Sequence, residues 1–150
     1  MKFLLDTNHV TIIQYANSTA YSTFKAYADR YSPGDLAHSV ISFQEQVVGA
    51  FASINHPRRS EDIVKNYERL SNILIYYASE TVLPLTVLPF DSPAAEKFDR
   101  LRANGIHDGM VKTMDLRIAS IALSRGLTVL TSNVGHFVKV PGLVTEDWLR

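Results

Sequence analysis

The chain has 150 residues, and its 15 Lys and Arg are balanced by 15 Asp and Glu, so the formal net charge is zero. It contains no cysteine, which excludes disulfides, Cys-ligated zinc, iron–sulfur clusters and a thiol nucleophile. The zero charge argues against a uniformly basic nucleic-acid-binding domain, although segregated charges remain compatible with it. This length predicts one domain, spanning residues 1–150.

The N-terminus lacks the pattern of an export signal. Only three apolar residues, Phe3, Leu4 and Leu5, follow Met1 and Lys2 before Asp6 interrupts them, and no small-residue cleavage site follows. No apolar run approaches the ~20 residues needed to cross a bilayer. We therefore expect a cytoplasmic protein that does not associate with membranes.

The first half of the chain alternates short apolar runs with amphipathic segments. Residues 2–6 read as a buried strand that ends on Asp6, and the spacing after it predicts a helix to about Ala16. A second helix is predicted from Thr19 to Arg30. After a turn at residues 32–35, we expect a strand over Leu36–Ile41 and a helix from Ser42 to about Ile54.

The second half continues this alternation. Predicted elements are a helix over Ser60–Ala78, a strand region over Thr81–Phe90, a helix from Asp91 to Gly105, a helix over Asp115–Leu123 closed by Gly126, and a strand over Leu127–Thr131. Strands that alternate with helices favour a parallel sheet. We predict an α/β fold with a mostly parallel central sheet of four to five strands, flanked by helices on both faces.

Three acidic residues lie where such a sheet would present them together. Asp6 closes the first predicted strand, Glu45 lies in the first turn of the helix after the second, and Asp115 begins the helix before the last. Asn133 follows the end of that last strand. Because ligands bind outside the carboxyl ends of parallel strands, these side chains are candidates for one crevice.

Clustered carboxylates cannot all remain ionised without a counter-charge. A hard divalent cation with oxygen ligands supplies one, and the absence of Cys and of a His pair favours Mg²⁺ or Mn²⁺ over Zn²⁺. Such an ion would support phosphodiester hydrolysis.

Each residue also has a purely structural interpretation. Asp6 and Asp115 could be helix N-caps, Ser42 and Glu45 could form a capping box, and Asn133 could be a turn residue. His9 and His38 are expected to be packed or solvated rather than functional.

Four segments in order resemble the PIN-domain family, and within it the VapC-type toxins of prokaryotic toxin–antitoxin pairs. They are FLLDTN (Phe3–Asn8), SFQEQVVGA (Ser42–Ala50), TMDLRIASIALSRGLTVLTSN (Thr113–Asn133) and HFVKVPGLVTEDW (His136–Trp148). The resemblance covers nearly the whole chain.

This resemblance implies a metal-dependent endoribonuclease in which Asp6, Glu45 and Asp115 hold Mg²⁺ or Mn²⁺. Asn133 matches a fourth, weaker position, and His136 stands where many members carry Asp or Glu. Both departures favour one cation, or a loosely held second one.

The resemblance also implies supporting residues and partners. Thr7, Asn8 and Thr131 lie beside the acids in the matching motifs and would orient ligands or water. The expected partners are an RNA substrate, a cognate antitoxin protein and a second copy of the chain in a homodimer.

Basic residues near the middle of the chain are a second candidate feature. Arg58, Arg59, Lys65 and Arg69 would form an RNA-contacting strip, or simply a solvated helix face. Two other function classes remain open: a catalytically weak PIN-like module that binds RNA or protein, and a receiver-like phosphoacceptor domain. The second would need an acidic pair early in the chain, where only Asp6 is available.

Overall fold

A computed structural model describes residues 1–57, 59–79 and 85–150. Its strands are β1 (Phe3–Leu5), β2 (Leu36–Ser39), β3 (Thr86–Leu88), β4 (Thr128–Leu130) and β5 (Thr145–Glu146). Its α-helices are α1 (Thr7–Gln14), α2 (Thr19–Ala28), α3 (Val40–Asn55), α4 (Asp62–Ala78), α5 (Ser92–Ala103), α6 (Thr113–Arg125) and α7 (Val134–Phe137).

The five strands form one sheet in the order β3-β2-β1-β4-β5, and every pairing is parallel. The chain builds outward from β1 to β2 and β3 and then returns to the other side of β1 for β4. The boundary between β1 and β4 is therefore the topological switch point, where open parallel sheets leave a crevice at the carboxyl ends of their strands.

The central strand β1 is buried on both sides, as expected for a parallel sheet covered by helices. Leu4 packs into a core that includes residues of α5 and α6. Phe3 and Leu5 face the opposite core, which includes residues of α1 and α2 and the buried ring of Trp148. This arrangement confirms the predicted α/β fold with helices on both faces of the sheet.

Crossover helices run back along the sheet, so the helix that follows β2 and the helix that precedes β4 begin at the carboxyl edge of the strands. Gly126 ends α6 with φ = 64°, a left-handed conformation that glycine adopts without steric cost. The chain then enters β4 directly. The N-termini of α3 and α6 consequently lie at the edge where Asp6 follows β1.

The start of α3 differs from the prediction. The strand ends at Ser39, whose hydroxyl accepts a hydrogen bond from the backbone N–H of Ser42 at 3.3 Å, so Ser39 is the N-cap and the helix begins at Val40. The Ser42–Glu45 capping box was therefore wrong. Glu45 lies in the second turn of α3 and not in the first.

Other elements differ in extent. The predicted strand over Thr81–Phe90 is observed as Thr86–Leu88, and residues 81–84 lie outside the described residues. The short elements α7 and β5 were not predicted. Within the described residues, no helix combines the length and apolarity that a bilayer crossing requires.

Candidate active site

Asp6 lies at the switch point of the sheet. Its backbone N–H donates to the carbonyl of Leu130 at 3.0 Å, which ties the end of β1 to the end of β4. Its side chain caps α1 by accepting a hydrogen bond from the His9 backbone N–H at 3.0 Å. The predicted cap and the predicted position at a strand end therefore both hold for this residue.

Both carboxylate oxygens of Asp6 have side-chain neighbours. Nδ1 of His9 lies 3.1 Å from Oδ1, and Oγ1 of Thr131 donates to Oδ2 at 2.5 Å. His9 and Thr131 are fully buried, and Asp6 itself is 5% exposed. Asp6 is thus held in one orientation by groups from α1 and from the segment after β4.

Glu45 approaches from α3 and accepts a hydrogen bond from Oγ1 of Thr7 on α1. Partial burial raises the pKa of the Glu45 carboxyl, and the negative charges of Asp115 and Asp6 raise it further. The Thr7 hydrogen bond and the positive charge of Lys112 oppose these effects and lower the pKa. Glu45 therefore shares one electrostatic environment with the other two acids.

Asp115 lies in the first turn of α6, and its side chain is 16% exposed. It is not the N-cap of the helix, since that position belongs to Lys112. A carboxylate in a first helical turn is favoured by the helix dipole. The carboxylate oxygen Oδ2 lies 3.1 Å from Nδ1 of His136.

The segment after β4 connects Asp6 to Asp115. The backbone N–H of Asn133 donates to Oγ1 of Thr131 at 2.9 Å, and Thr131 in turn donates to Asp6. The side-chain amide of Asn133 lies 2.8 Å from Nδ1 of His136, the atom that also faces Asp115. Asn133 precedes α7 without a side-chain capping bond, so its amide is available to this chain of contacts.

The three acids interact electrostatically, but their side chains do not form a metal-coordination site in the described residues. Across residues 1–57, 59–79 and 85–150, no group of three or more His, Asp or Glu side chains is positioned to hold a metal ion. The geometry therefore establishes contacts around each acid and a common edge of the sheet, rather than a coordination sphere.

Two of the three predicted supporting residues form hydrogen bonds with the acids in the described part of the chain. Thr7 and Thr131 contact Glu45 and Asp6, respectively. Asn8 is exposed, and within the described part of the chain its side chain makes no hydrogen bond to an acid. Two residues that sequence reasoning missed join them: His9, which faces Asp6, and Lys112, whose charge acts on Glu45. The spacing from a capping Asp to a His three residues later could have indicated His9.

The residues of the predicted basic strip have different surroundings. Arg58 lies outside the described residues. Arg59 forms ion pairs with Glu61 at 2.9 Å and with Asp62 at 3.1 Å. Lys65 is exposed, and Arg69 lines a separate cavity of about 530 Å³ together with residues of α1, α3 and α4. Arg59 is therefore an exposed, ion-paired residue just before α4.

Helix α1 is fixed to α3 by a pair of amide side chains that also lines this cavity. Nε2 of Gln14 donates to Oε1 of Gln46 at 3.0 Å, and Nε2 of Gln46 lies at the same distance from Oε1 of Gln14. Gln46 also contacts Oγ1 of Thr11 at 3.0 Å. These contacts hold the two helices that carry Thr7 and Glu45.

Comparisons with known proteins place this arrangement in context. No protein-family model matches the chain. The chain is 30% identical to the tRNA(fMet)-specific endonuclease VapC of Shigella flexneri over 151 aligned positions, which cover 99% of this chain and 98% of that protein.

Solved structures agree with this relationship. The DNA-bound VapBC structure from Salmonella typhimurium superposes with a TM-score of 0.67 at 27% identity, covering 99% of this chain and 98% of that one. The VapBC-1 structure from nontypeable Haemophilus influenzae gives a TM-score of 0.70 at 24% identity over the full length of both chains and shows the same fold.

A five-stranded parallel sheet flanked by helices, with Asp6 following its central strand, is the architecture of a PIN-like domain. The full-length relationship makes the assignment more specific, and the chain belongs to the VapC family of ribonucleases. Membership of this family leaves the receiver-like alternative without support.

Proposed function

We propose that this ribonuclease cleaves RNA with the help of a divalent cation, Mg²⁺ or Mn²⁺, held by Asp6, Glu45 and Asp115. The observation that carries the proposal is the convergence of these acids from three separate elements. Asp6 and Asp115 are linked through the segment from Thr131 to His136, and Glu45 responds electrostatically to both.

The donor chemistry fits a hard cation. All three candidate ligands are carboxylates. Burial raises the pKa of Glu45, and repulsion from Asp115 and Asp6 raises it further, an effect that a bound cation would relieve. Thr7, His9 and Thr131 hold the carboxylates in place with hydrogen bonds, as outer-shell partners of metal ligands do.

The bound cation would supply a nucleophilic water and neutralise charge that develops on the phosphate. The protein's own contribution is to hold three acids at one edge of the sheet. Lys112 adds a positive charge beside Glu45. In-line attack of water on phosphorus would leave a 5′-phosphate and a 3′-hydroxyl.

We propose one cation rather than a tightly held pair. Asn133 and His136 occupy the positions where a fourth and a fifth carboxylate would add negative charge. Three carboxylates carry more negative charge than is needed to balance one divalent cation, but less than is needed to balance two.

The charge distribution suits an RNA substrate. Outside the three acids, the chain has 15 basic and 12 acidic residues, so the remaining surface is mildly basic although the total charge is zero. Binding to phosphate should accordingly weaken with salt. The Shigella relative is named for one transfer RNA, which supports RNA as the class of substrate.

We also propose that a cognate antitoxin protein and a second copy of this chain are its partners in the cytoplasm. The solved relatives are VapBC assemblies. Apolar side chains that a lone protein would expose at a cost lie on α3 and α4: Val48, Phe51, Val64, Leu74 and Ile75.

Metal removal tests the proposed chemistry. Purified protein should cleave a 5′-labelled RNA in Mg²⁺ or Mn²⁺, lose this activity after exhaustive chelation, and regain it when the cation is restored. Cleavage that survives chelation would contradict the cation requirement. A protein that binds RNA but never cleaves it would instead be the catalytically weak binding module.

A further inference from the structure

We propose that His136 is the positioning residue for Asp115: its Nδ1–H holds the carboxylate in the orientation that receives the cation. The inference rests on the proposed function, because it assigns a role toward the cation that Asp115 would hold. His136 occupies the position where many members of the PIN-domain family carry Asp or Glu.

The contact itself is specific to one ring atom. Nδ1 of His136 lies 3.1 Å from Oδ2 of Asp115 and 2.8 Å from the side-chain amide nitrogen of Asn133. An ionised carboxylate only accepts hydrogen bonds, so the contact with Asp115 is favourable only if Nδ1 carries the proton.

The side-chain amide of Asn133 can accept a hydrogen bond from a proton on Nδ1 of His136. The nitrogen and oxygen of a side-chain amide exchange places by a 180° rotation. With Oδ1 of Asn133 turned toward the ring, Nδ1–H donates to Asp115 and to the amide oxygen together. The opposite assignment would leave two lone pairs facing each other at 3.1 Å.

The same arrangement recurs at each acid of the site. Thr131 and His9 orient Asp6, and Thr7 orients Glu45. Asp115 is the remaining acid, and His136 is its counterpart to these residues. The backbone N–H of Asn133 also donates a hydrogen bond to Thr131. His136 therefore connects Asp115 to the segment that orients Asp6.

Substitutions can separate the two ring nitrogens. An Asn side chain places its amide N–H near the position of Nδ1, whereas a Gln side chain reaches toward the position of Nε2. The test variants are therefore His136→Asn, His136→Gln and His136→Leu. The matched control is His56→Asn, which removes an exposed imidazole at the end of α3.

The first measurement is calorimetric titration of the metal-free protein with Mn²⁺. We expect His136→Leu and His136→Gln to weaken Mn²⁺ binding by about 10-fold or more, as loss of an outer-shell partner does. His136→Asn and the control should stay within about threefold of the unsubstituted protein. Equal affinity in all variants, or rescue by Gln and not by Asn, would overturn the inference.

The second measurement needs no metal. Long-range ¹H–¹⁵N correlation on the metal-free protein at alkaline pH should show His136 as the Nδ1–H tautomer. An Nε2–H tautomer would overturn the inference. If the unsubstituted protein binds no Mn²⁺ at all, the proposed cation site fails and this inference fails with it. Normal binding with unaffected variants would refute only the role of His136.

Discussion

Thr131 donates a 2.5 Å hydrogen bond to Asp6 across 125 residues of sequence. Both side chains are buried, and the hydrogen bond spans the boundary between β1 and β4, where the strand order reverses. A charged acceptor makes such a hydrogen bond short and strong. The contact therefore joins the stability of the fold to the orientation of a candidate cation ligand.

Replacing Thr131 with Val should damage both properties. The substitution preserves shape but leaves Oδ2 of Asp6 without its donor in a buried setting. We expect the free energy of unfolding to fall by about 1–3 kcal/mol and RNA cleavage to fall by about 10- to 100-fold. Urea denaturation and initial cleavage rates measure the two effects.

Thr128→Val is the matched control, since the same exchange is made three residues earlier, at the half-buried start of β4. It should leave the cleavage rate close to that of the unsubstituted protein. If Thr131→Val behaved like this control in both assays, the hydrogen bond would have no role in the site.

Lys112 should contribute to RNA binding. Its charge acts on Glu45 from the N-cap of α6, at the edge where phosphate would approach. In an Asp115→Asn background that blocks cleavage, Lys112→Gln should flatten the slope of log affinity against log salt by about 0.7. Fluorescence anisotropy over a salt series measures this slope.

Lys25→Gln is a suitable comparison for Lys112→Gln, because Lys25 is already paired with Asp29 at 2.6 Å. It should leave the slope unchanged. Identical slopes for the two variants would show that Lys112 makes no contact with phosphate.

Stability should decrease in mild acid because of His38. This side chain is 3% exposed in β2 and packs edge-on against Tyr77 at 4.9 Å between ring centroids. Burial lowers the pKa of His38 to about 4. The unfolded chain binds this proton near pH 6.5, so the stabilisation from keeping His38 neutral is fully present above that pH and is lost toward pH 4.

The free energy of unfolding should therefore include a loss of about 2–3 kcal/mol between pH 7.5 and pH 4.5 that is due to His38. His38→Gln cannot take up this proton, so its stability should decline correspondingly less over the same interval. Equal declines in urea denaturation at the two pH values would contradict a neutral, buried His38.

The partner proposal can be tested on the exposed apolar surface of α4. Leu74 is 65% exposed, so Leu74→Glu should not disturb folding. If the antitoxin encoded by an adjacent reading frame covers this helix, the variant should resist inhibition by that protein and retain cleavage. The control Ser71→Glu introduces the same charge at a polar site on the same helix. Inhibition of Leu74→Glu equal to that of the unsubstituted protein would exclude α4 from the contact.

The fold and the position of Asp6 could be predicted from the sequence because both depend on local patterns. Alternating strands and helices predicted the parallel sheet, and the end of the first strand predicted the location of Asp6. The start of α3 was misjudged because Val40 and Ile41 are β-branched and continue the apolar run of β2. In the structure, capping by Ser39 prevails over that weak strand preference.

The contacts among the site residues could not be predicted in the same way. The bond from Thr7 to Glu45 and the approach of His136 to Asp115 depend on how helices pack across the sheet. His9 reads as an ordinary core residue, and only its spacing from Asp6 could have indicated the contact between them. The elements α7 and β5 have four and two residues, too few to show a period.

The central claim is that Asp6, Glu45 and Asp115 act together on RNA. Cleavage of a labelled RNA in Mn²⁺ by Asp115→Asn tests it most directly, with Asp99→Asn on the exposed surface of α5 as the matched control. We predict that Asp115→Asn loses more than about 100-fold in rate, beyond what outer-shell substitutions cost, while Asp99→Asn is unaffected. Full activity of a folded Asp115→Asn protein would contradict the account.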